Sequence, residues 1–141
     1  ISQTGNLNTT NLNFGSSGSN GGTLGISING NSNTTGLNIG TTHDASNYNY
    51  SLTIGSGSAS SDSNSVTSTI NSRNVTTAIS ITGGNGNTVT TNQSGASGNS
   101  LTINNIGAGN TISATQNGVT NANSATINVT GSNASVSVIQ H

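Results

Sequence analysis

Apolar residues in this chain fall in short clusters in which every second residue is apolar, and the clusters recur from end to end. Ile26/Ile28, Leu37/Ile39, Leu52/Ile54, Val75/Ile79/Ile81, Leu101/Ile103, Ile127/Val129 and Val136/Val138 all follow this period of two. That spacing puts each set on one face of a short β-strand. Between the clusters lie Gly, Asn and Ser, residues that accept positive φ and build tight turns. The aliphatics are 13 Ile, 7 Val and 6 Leu against only 9 Ala, a mix that favours strand over helix.

The clusters return at roughly 10–15 residue intervals, most clearly in the last third of the chain. There GNTVTTNQSGAS (86–97), GNSLTINNIGA (98–108) and GNTISATQNGVT (109–120) follow one another directly, each opening on Gly-Asn. Gln93 to Gln116 is 23 residues and Gln116 to Gln140 is 24. A strand–turn–strand–turn that repeats at this length is one rung of a solenoid. The fold predicted is all-β: a β-solenoid of about six two-strand rungs with cross-β-like parallel stacking, about 29 Å tall at the inter-strand spacing of a sheet. Residues 1–141 read as a single repeat domain, with Gly/Ser-rich loops at 15–25 (GSSGSNGGTLG) and 55–65 (GSGSASSDSNS).

Composition narrows the function classes. Asn, Ser, Thr and Gly make about two thirds of the chain, Lys+Arg is 1, Asp+Glu is 2, and Cys, Pro, Met and Trp are absent. Low complexity with few aromatics is a mark of disorder, but disordered chains carry net charge and Pro. Uncharged, Asn-rich, Pro-free sequence instead suits chains that stack in register. One Arg cannot supply the counterion release that nucleic-acid binding needs. The longest apolar runs are two residues, as at Val138-Ile139, so no membrane-inserted helix is expected. Disulfides and Cys-based metal sites are excluded outright.

The glutamines carry a family resemblance. Val89-x-Thr91-x-Gln93-x-Gly95, Ile112-x-Ala114-x-Gln116-x-Gly118 and Val136-x-Val138-x-Gln140 share one pattern, and Ile1-Ser-Gln3-Thr-Gly5 opens the chain on the same Gln-x-Gly. Asn99 and Asn121 follow Gly95 and Gly118 by four and three residues. This resembles the curlin repeat of curli-type bacterial functional amyloids, Gln-x-Gly-x-x-Asn-x-Ala followed by a further Gln. Gln116-Asn-Gly118-Val-Thr-Asn121 matches its first six positions, while Asn123 stands where the family has Ala. The resemblance covers 86–141 and, in outline, 1–8; it implies a secreted fibre subunit. Independently of the family, Gln116 shares parity with Ile112 and Ala114 and so faces inward. A buried amide must be hydrogen-bonded, and a Gln stacked on a Gln bonds along the stack as the backbone does. The expected inner ladder is Gln3, Gln93, Gln116 and Gln140 with Asn99 and Asn121; the expected subunit ends are Ile1, Val136 and Val138.

Little else carries chemistry. His43-Asp44 is the one adjacent acid–base pair and sits in a turn-like stretch, so no catalytic site is assigned. GGNGNTV (83–89) has the look of a Gly-rich calcium turn but offers neutral oxygens where carboxylates are needed. Tyr48 and Tyr50 are expected to be partly buried at a rung edge. The pairs Thr88/Thr90, Ser100/Thr102 and Thr111/Ser113 are mixed and interrupted, which counts against a flat ice-binding face.

The reading is therefore a structural subunit, not an enzyme, with no metal and no cofactor. It is expected to self-assemble head-to-tail with copies of itself into an extracellular, amyloid-like filament of a biofilm matrix or cell surface, where polysaccharide is a candidate contact. No nucleic acid and no membrane insertion are expected. The opening at Ile1, without Met or a charged leader, leads to the expectation of a secreted chain whose signal peptide has been removed. The second reading is a binding module: an ice-binding protein, a carbohydrate-binding adhesin or a phage fibre.

Overall fold

The computed structural model describes residues 1–14, 23–39, 49–55, 61–95, 97–118 and 121–141. Among the described residues twelve strands alternate between two faces. The first face holds β1 (Ser2–Thr4), β3 (Thr23–Asn29), β5 (Asn49–Thr53), β7 (Thr76–Thr82), β9 (Ser100–Ile106) and β11 (Ser124–Thr130). The second holds β2 (Thr9–Phe14), β4 (Thr34–Ile39), β6 (Ser65–Asn71), β8 (Thr88–Gly95), β10 (Thr111–Gly118) and β12 (Ser135–Gln140). Each face is a six-stranded parallel sheet in which every strand pairs with the one two places along the chain. The molecule is an all-β solenoid of about five turns, with no helix among the described residues.

Parity explains the core. On the second sheet Val66, Val89 and Ile112 stack in register with Val136, and Ser68, Thr91 and Ala114 stack with Val138. On the first sheet Leu52, Ile79, Ile103 and Ile127 form one column. All of these point between the sheets and are buried, apart from the half-buried Val136 and Val138 of the last rung. Successive residues of a strand face opposite ways, so the intervening Thr, Ser and Asn are left to solvent.

The turn entering the second sheet is the same in every rung. It reads Gly5-Asn-Leu-Asn8-Thr, Gly30-Asn-Ser-Asn33-Thr, Ser61-Asp-Ser-Asn64-Ser, Gly84-Asn-Gly-Asn87-Thr, Gly107-Ala-Gly-Asn110-Thr and Gly131-Ser-Asn-Ala134-Ser. Its third residue is left-handed throughout: φ is 58° at Leu7, 57° at Ser32, 56° at Ser63, 68° at Gly86 and Gly109, and 59° at Asn133. Its first residue passes so close to the next rung that a Cβ on Gly107 would lie 1.8 Å from the Gly131 carbonyl oxygen. Rung length varies from 23 residues (Thr88↔Thr111) to 31 (Thr34↔Ser65) without disturbing this corner.

Two boundaries differ from the sequence reading. Residues 23–25 of the expected 15–25 loop open β3, because Gly25 takes an outward position that needs no side chain. Residues 61–64 of the expected 55–65 loop are a regular corner with Ser61 and Asn64 buried, and Ser65 begins β6. Residues 15–22 and 56–60 lie outside the described residues.

Gly107→Ala, with φ of 129° and backbone in the way, is expected to destabilise by ~3 kcal/mol or more. Gly86→Ala, left-handed but with open space around it, should lose only ~1 kcal/mol. Thermal unfolding followed by far-ultraviolet circular dichroism compares the two, and the native spectrum should show no helical component.

Candidate functional site

The feature most able to act is the set of side-chain ladders that run along the solenoid axis. The corner Asn of each rung is fully or largely buried from Asn33 to Asn110. Asn8 Oδ1 accepts the Asn33 backbone N–H at 3.0 Å; Asn33, Asn64 and Asn87 do the same for Asn64, Asn87 and Asn110 at 3.0, 2.9 and 2.9 Å. Each Nδ2 in turn donates to the first corner carbonyl of the next rung: Asn8 to Gly30, Asn33 to Ser61, Asn64 to Gly84, Asn87 to Gly107 and Asn110 to Gly131, at 2.7 to 3.0 Å. A charge-free amide is suited to this place because it both accepts and donates, so every rung satisfies the buried polar groups of its neighbour.

A second, outer ladder runs the opposite way along the same corner. The N–H of Asn6, Asn31 and Asp62 donates to the Oδ1 of Asn31, Asp62 and Asn85, at 2.8, 2.6 and 2.8 Å. This ladder is exposed.

Glutamines close the other edge of the core. Gln93 Nε2 donates to Gln116 Oε1 and Gln116 Nε2 to Gln140 Oε1, both at 2.9 Å. Gln116 and Gln140 also bond across to the first strand residue of the opposite sheet, through the Ser100 and Ser124 carbonyls at 2.9 and 3.1 Å. Thr77 Oγ1 on the first sheet bonds Gln93 Oε1. The amides thus tie the sheets together as well as the rungs. Below Gln93 the column continues as Ile70.

The predicted ladder residues therefore separate into two groups. Gln93, Gln116 and Gln140 stack on one another, and Asn99 is fully buried at the second corner, accepting the Asn123 N–H at 2.9 Å. Gln3 is not in that column: it lies on β1 of the first sheet, paired with Ile28 and exposed, with its amide on Thr10 Oγ1 at 2.6 Å. The Gln-x-Gly text is the same, but here it precedes the corner into the second sheet and not the corner out of it. Asn121 is exposed in the turn after β10; Asn123 takes the place beside Asn99. Ile1 is exposed, and Val136 and Val138 are half-buried on the last strand.

Tyr50 is fully buried, not at a rung edge, in a column between Leu24 and Thr77. Its hydroxyl lies close to Ser68, whose own hydroxyl bonds Thr91 at 2.6 Å. The Tyr50 hydroxyl has no hydrogen bond of good distance and angle among the described residues. Burial pushes its phenol well above the ordinary range, with Ser68 pulling weakly the other way. His43, Asp44 and Tyr48 lie outside the described residues. The GGNGNTV stretch is the fourth ladder corner, with Asn87 bonded to the rung before it and the rung after it.

The outward face of the second sheet is a regular grid. Ser65/Thr67, Thr88/Thr90, Thr111/Ser113 and Ser135/Ser137 lie in register on successive strands. Ser100/Thr102 belong to the other sheet, so Thr88/Thr90 and Thr111/Ser113 are direct neighbours on the second, while on the first Ala78 stands in register with Thr102. On β2, β4 and β6 a shallow groove of about 210 Å³ opens over Gly36, with Asn11, Asn13, Asn38, Thr67 and Thr69 around it.

No protein-family model matches the chain, and searches of curated proteins and of solved structures return no significant match. Among the described residues no group of three or more His, Asp or Glu could hold a metal ion, and no helix is long and apolar enough to cross a membrane.

Asn87→Ala strands the Asn110 N–H and the Gly107 carbonyl in a buried site and is expected to lose ~2–4 kcal/mol, whereas Asn85→Ala on the exposed ladder should lose under ~1 kcal/mol; urea unfolding midpoints distinguish them. Tyr50 is neutral when folded and its pKa is raised above the ~10 of an unfolded chain, so the folded state binds more protons at high pH. Its contribution is constant below about pH 10 and falls as pH rises beyond that. Tyr50→Phe should flatten the alkaline decline of the melting temperature and leave stability at pH 7 unchanged or slightly higher.

Proposed function

We propose that this chain is a structural subunit that self-assembles through its terminal rungs into an extracellular, amyloid-like filament. The observation that carries the reading is that, among the described residues, the outermost strands of both sheets pair on one side only: β11 and β12 at one end of the stack, β1 and β2 at the other. Unpaired strand edges are templates for further strands. Stacking one copy on the next sets Gly131 over Gly5, Ile127 over Ile1 and Val138 over Leu12, continuing the registers found inside the chain. A head-to-tail contact of this kind does not close and so propagates.

The Gln-x-Gly spacing of the last three rungs, with its inward glutamines, supports kinship with curlin repeats and a place in a secreted matrix or surface fibre. The inventory of side chains gives no support to an enzyme. Polysaccharide is the natural contact for a face made of amides and hydroxyls.

The hydroxyl grid favours a second reading, a binding module that docks on an ordered surface such as ice. Repeated outward pairs on adjacent strands are what a lattice match requires.

Negative-stain imaging of the purified chain should show unbranched filaments with a ~4.8 Å meridional repeat in fibre diffraction. Lys at both Val136 and Val138, inward positions of the last strand, should shorten or abolish them without changing monomer circular dichroism. Monomers that persist at high concentration would overturn the filament reading; thermal hysteresis lost on Thr90→Tyr would establish the second one in its place.

A further inference from the structure

The ladders have a direction, and in a filament that direction bears on the junction between subunits. Each inner Asn offers Oδ1 to the backbone N–H of the corner residue one rung further on, and Nδ2 to the carbonyl three residues before it. The last member to act this way is Asn110, which accepts the Ala134 N–H at 2.8 Å and donates to the Gly131 carbonyl at 2.9 Å. Ala134 occupies the ladder position of the final rung. It has neither the acceptor nor the donor.

A second copy stacked on this end brings Gly5 and Asn8 over Gly131 and Ala134. The Asn8 N–H then has no Oδ1 beneath it, and the Gly5 carbonyl has no Nδ2. The glutamine ladder also donates toward this end, from Gln93 to Gln116 to Gln140. The residue of β2 in register with that column is Phe14 and not a glutamine. By contrast the outer ladder can cross, since its donors point the same way as Ser132 N–H would toward Asn6. Backbone pairing and the glycine corner can cross too.

We infer, resting on the filament reading, that the partner surface of the β11/β12 edge is the β1/β2 rung of a second copy, and that Ala134 makes this junction the weakest rung-to-rung step in the filament. The polymer is stiff within each subunit and breakable between subunits. The gap is a single side chain wide. Asn at 134 would continue a column that is Asn in the five rungs before it.

The test is the critical concentration of the full chain, measured by sedimenting filaments at equilibrium. Ala134→Asn restores two buried hydrogen bonds per junction and should lower the critical concentration ~10-fold, with slower fragmentation on dilution. Ala134→Ser, small enough to fold as the parent does and carrying one acceptor, should lower it by a smaller factor. Ser137→Asn, an outward amide on the same strand, should leave it within ~2-fold. If the parent and both position-134 variants form filaments at one critical concentration, the assignment of Ala134 is overturned. If none of them forms filaments, the filament reading itself fails and takes this inference with it.

Discussion

Parallel in-register stacking is the constraint on which everything else depends. When every strand lies over its equivalent one turn earlier, each side chain meets the same position of the next rung, and a column must be self-compatible from end to end. Aliphatic columns satisfy this by packing, as Leu52, Ile79, Ile103 and Ile127 do. Buried polar columns satisfy it only if the side chain can both give and accept a hydrogen bond. Amides can and carboxylates cannot, since like charges stacked a strand spacing apart repel. The near absence of charge and the abundance of Asn are therefore two faces of one requirement.

The core shows how far the requirement can be relaxed. Ser68 and Thr91 replace aliphatics in their column and bond each other at 2.6 Å. The glutamine column gives way to Ile70, a change tolerated because Gln93 finds the Thr77 hydroxyl across the core. Tyr50 is less well accommodated. Its buried hydroxyl lies close to Ser68 yet makes no hydrogen bond of good geometry among the described residues. Such substitutions are absorbed one at a time, because in a solenoid each rung answers only to its neighbours.

The strands and their inward faces were legible because a period of two is read directly from apolar residues; all seven clusters that defined it belong to strands or their immediate edges. The glutamines at 93, 116 and 140 were legible through parity with Ile112 and Ala114. Gln3 was not, because the same Gln-x-Gly occurs before either corner and nothing local tells which sheet a strand enters. Asn121 was misplaced for a related reason: the position that stacks on Asn99 is fixed by register with β9, which puts Asn123 there. The asparagine corner, the most regular element of all, was not legible although its Asn recurs in five of the six rungs. Its signal lies in the spacing of Gly and Asn across a turn, against a background where both are common, and not in hydrophobicity. The outer face was not legible from Ser100/Thr102, because chain-adjacent strands alternate between sheets.

Rung length and rung geometry are separate variables here, and that separation explains how so plain a composition can specify one structure. The turn from 30 to 61 takes 31 residues and that from 84 to 107 takes 23, yet Asn33, Asn64, Asn87 and Asn110 meet with bonds between 2.9 and 3.0 Å. Register is then fixed not by the count of residues but by the points where a buried amide has only one partner that satisfies it. A one-residue slip would send every inward aliphatic outward and also break each corner bond, so the two signals reinforce each other. Where one of them lapses, as at Ala134, the corner side chain carries neither donor nor acceptor, and the aliphatic columns alone are left to set the register of a strand stacked beyond it.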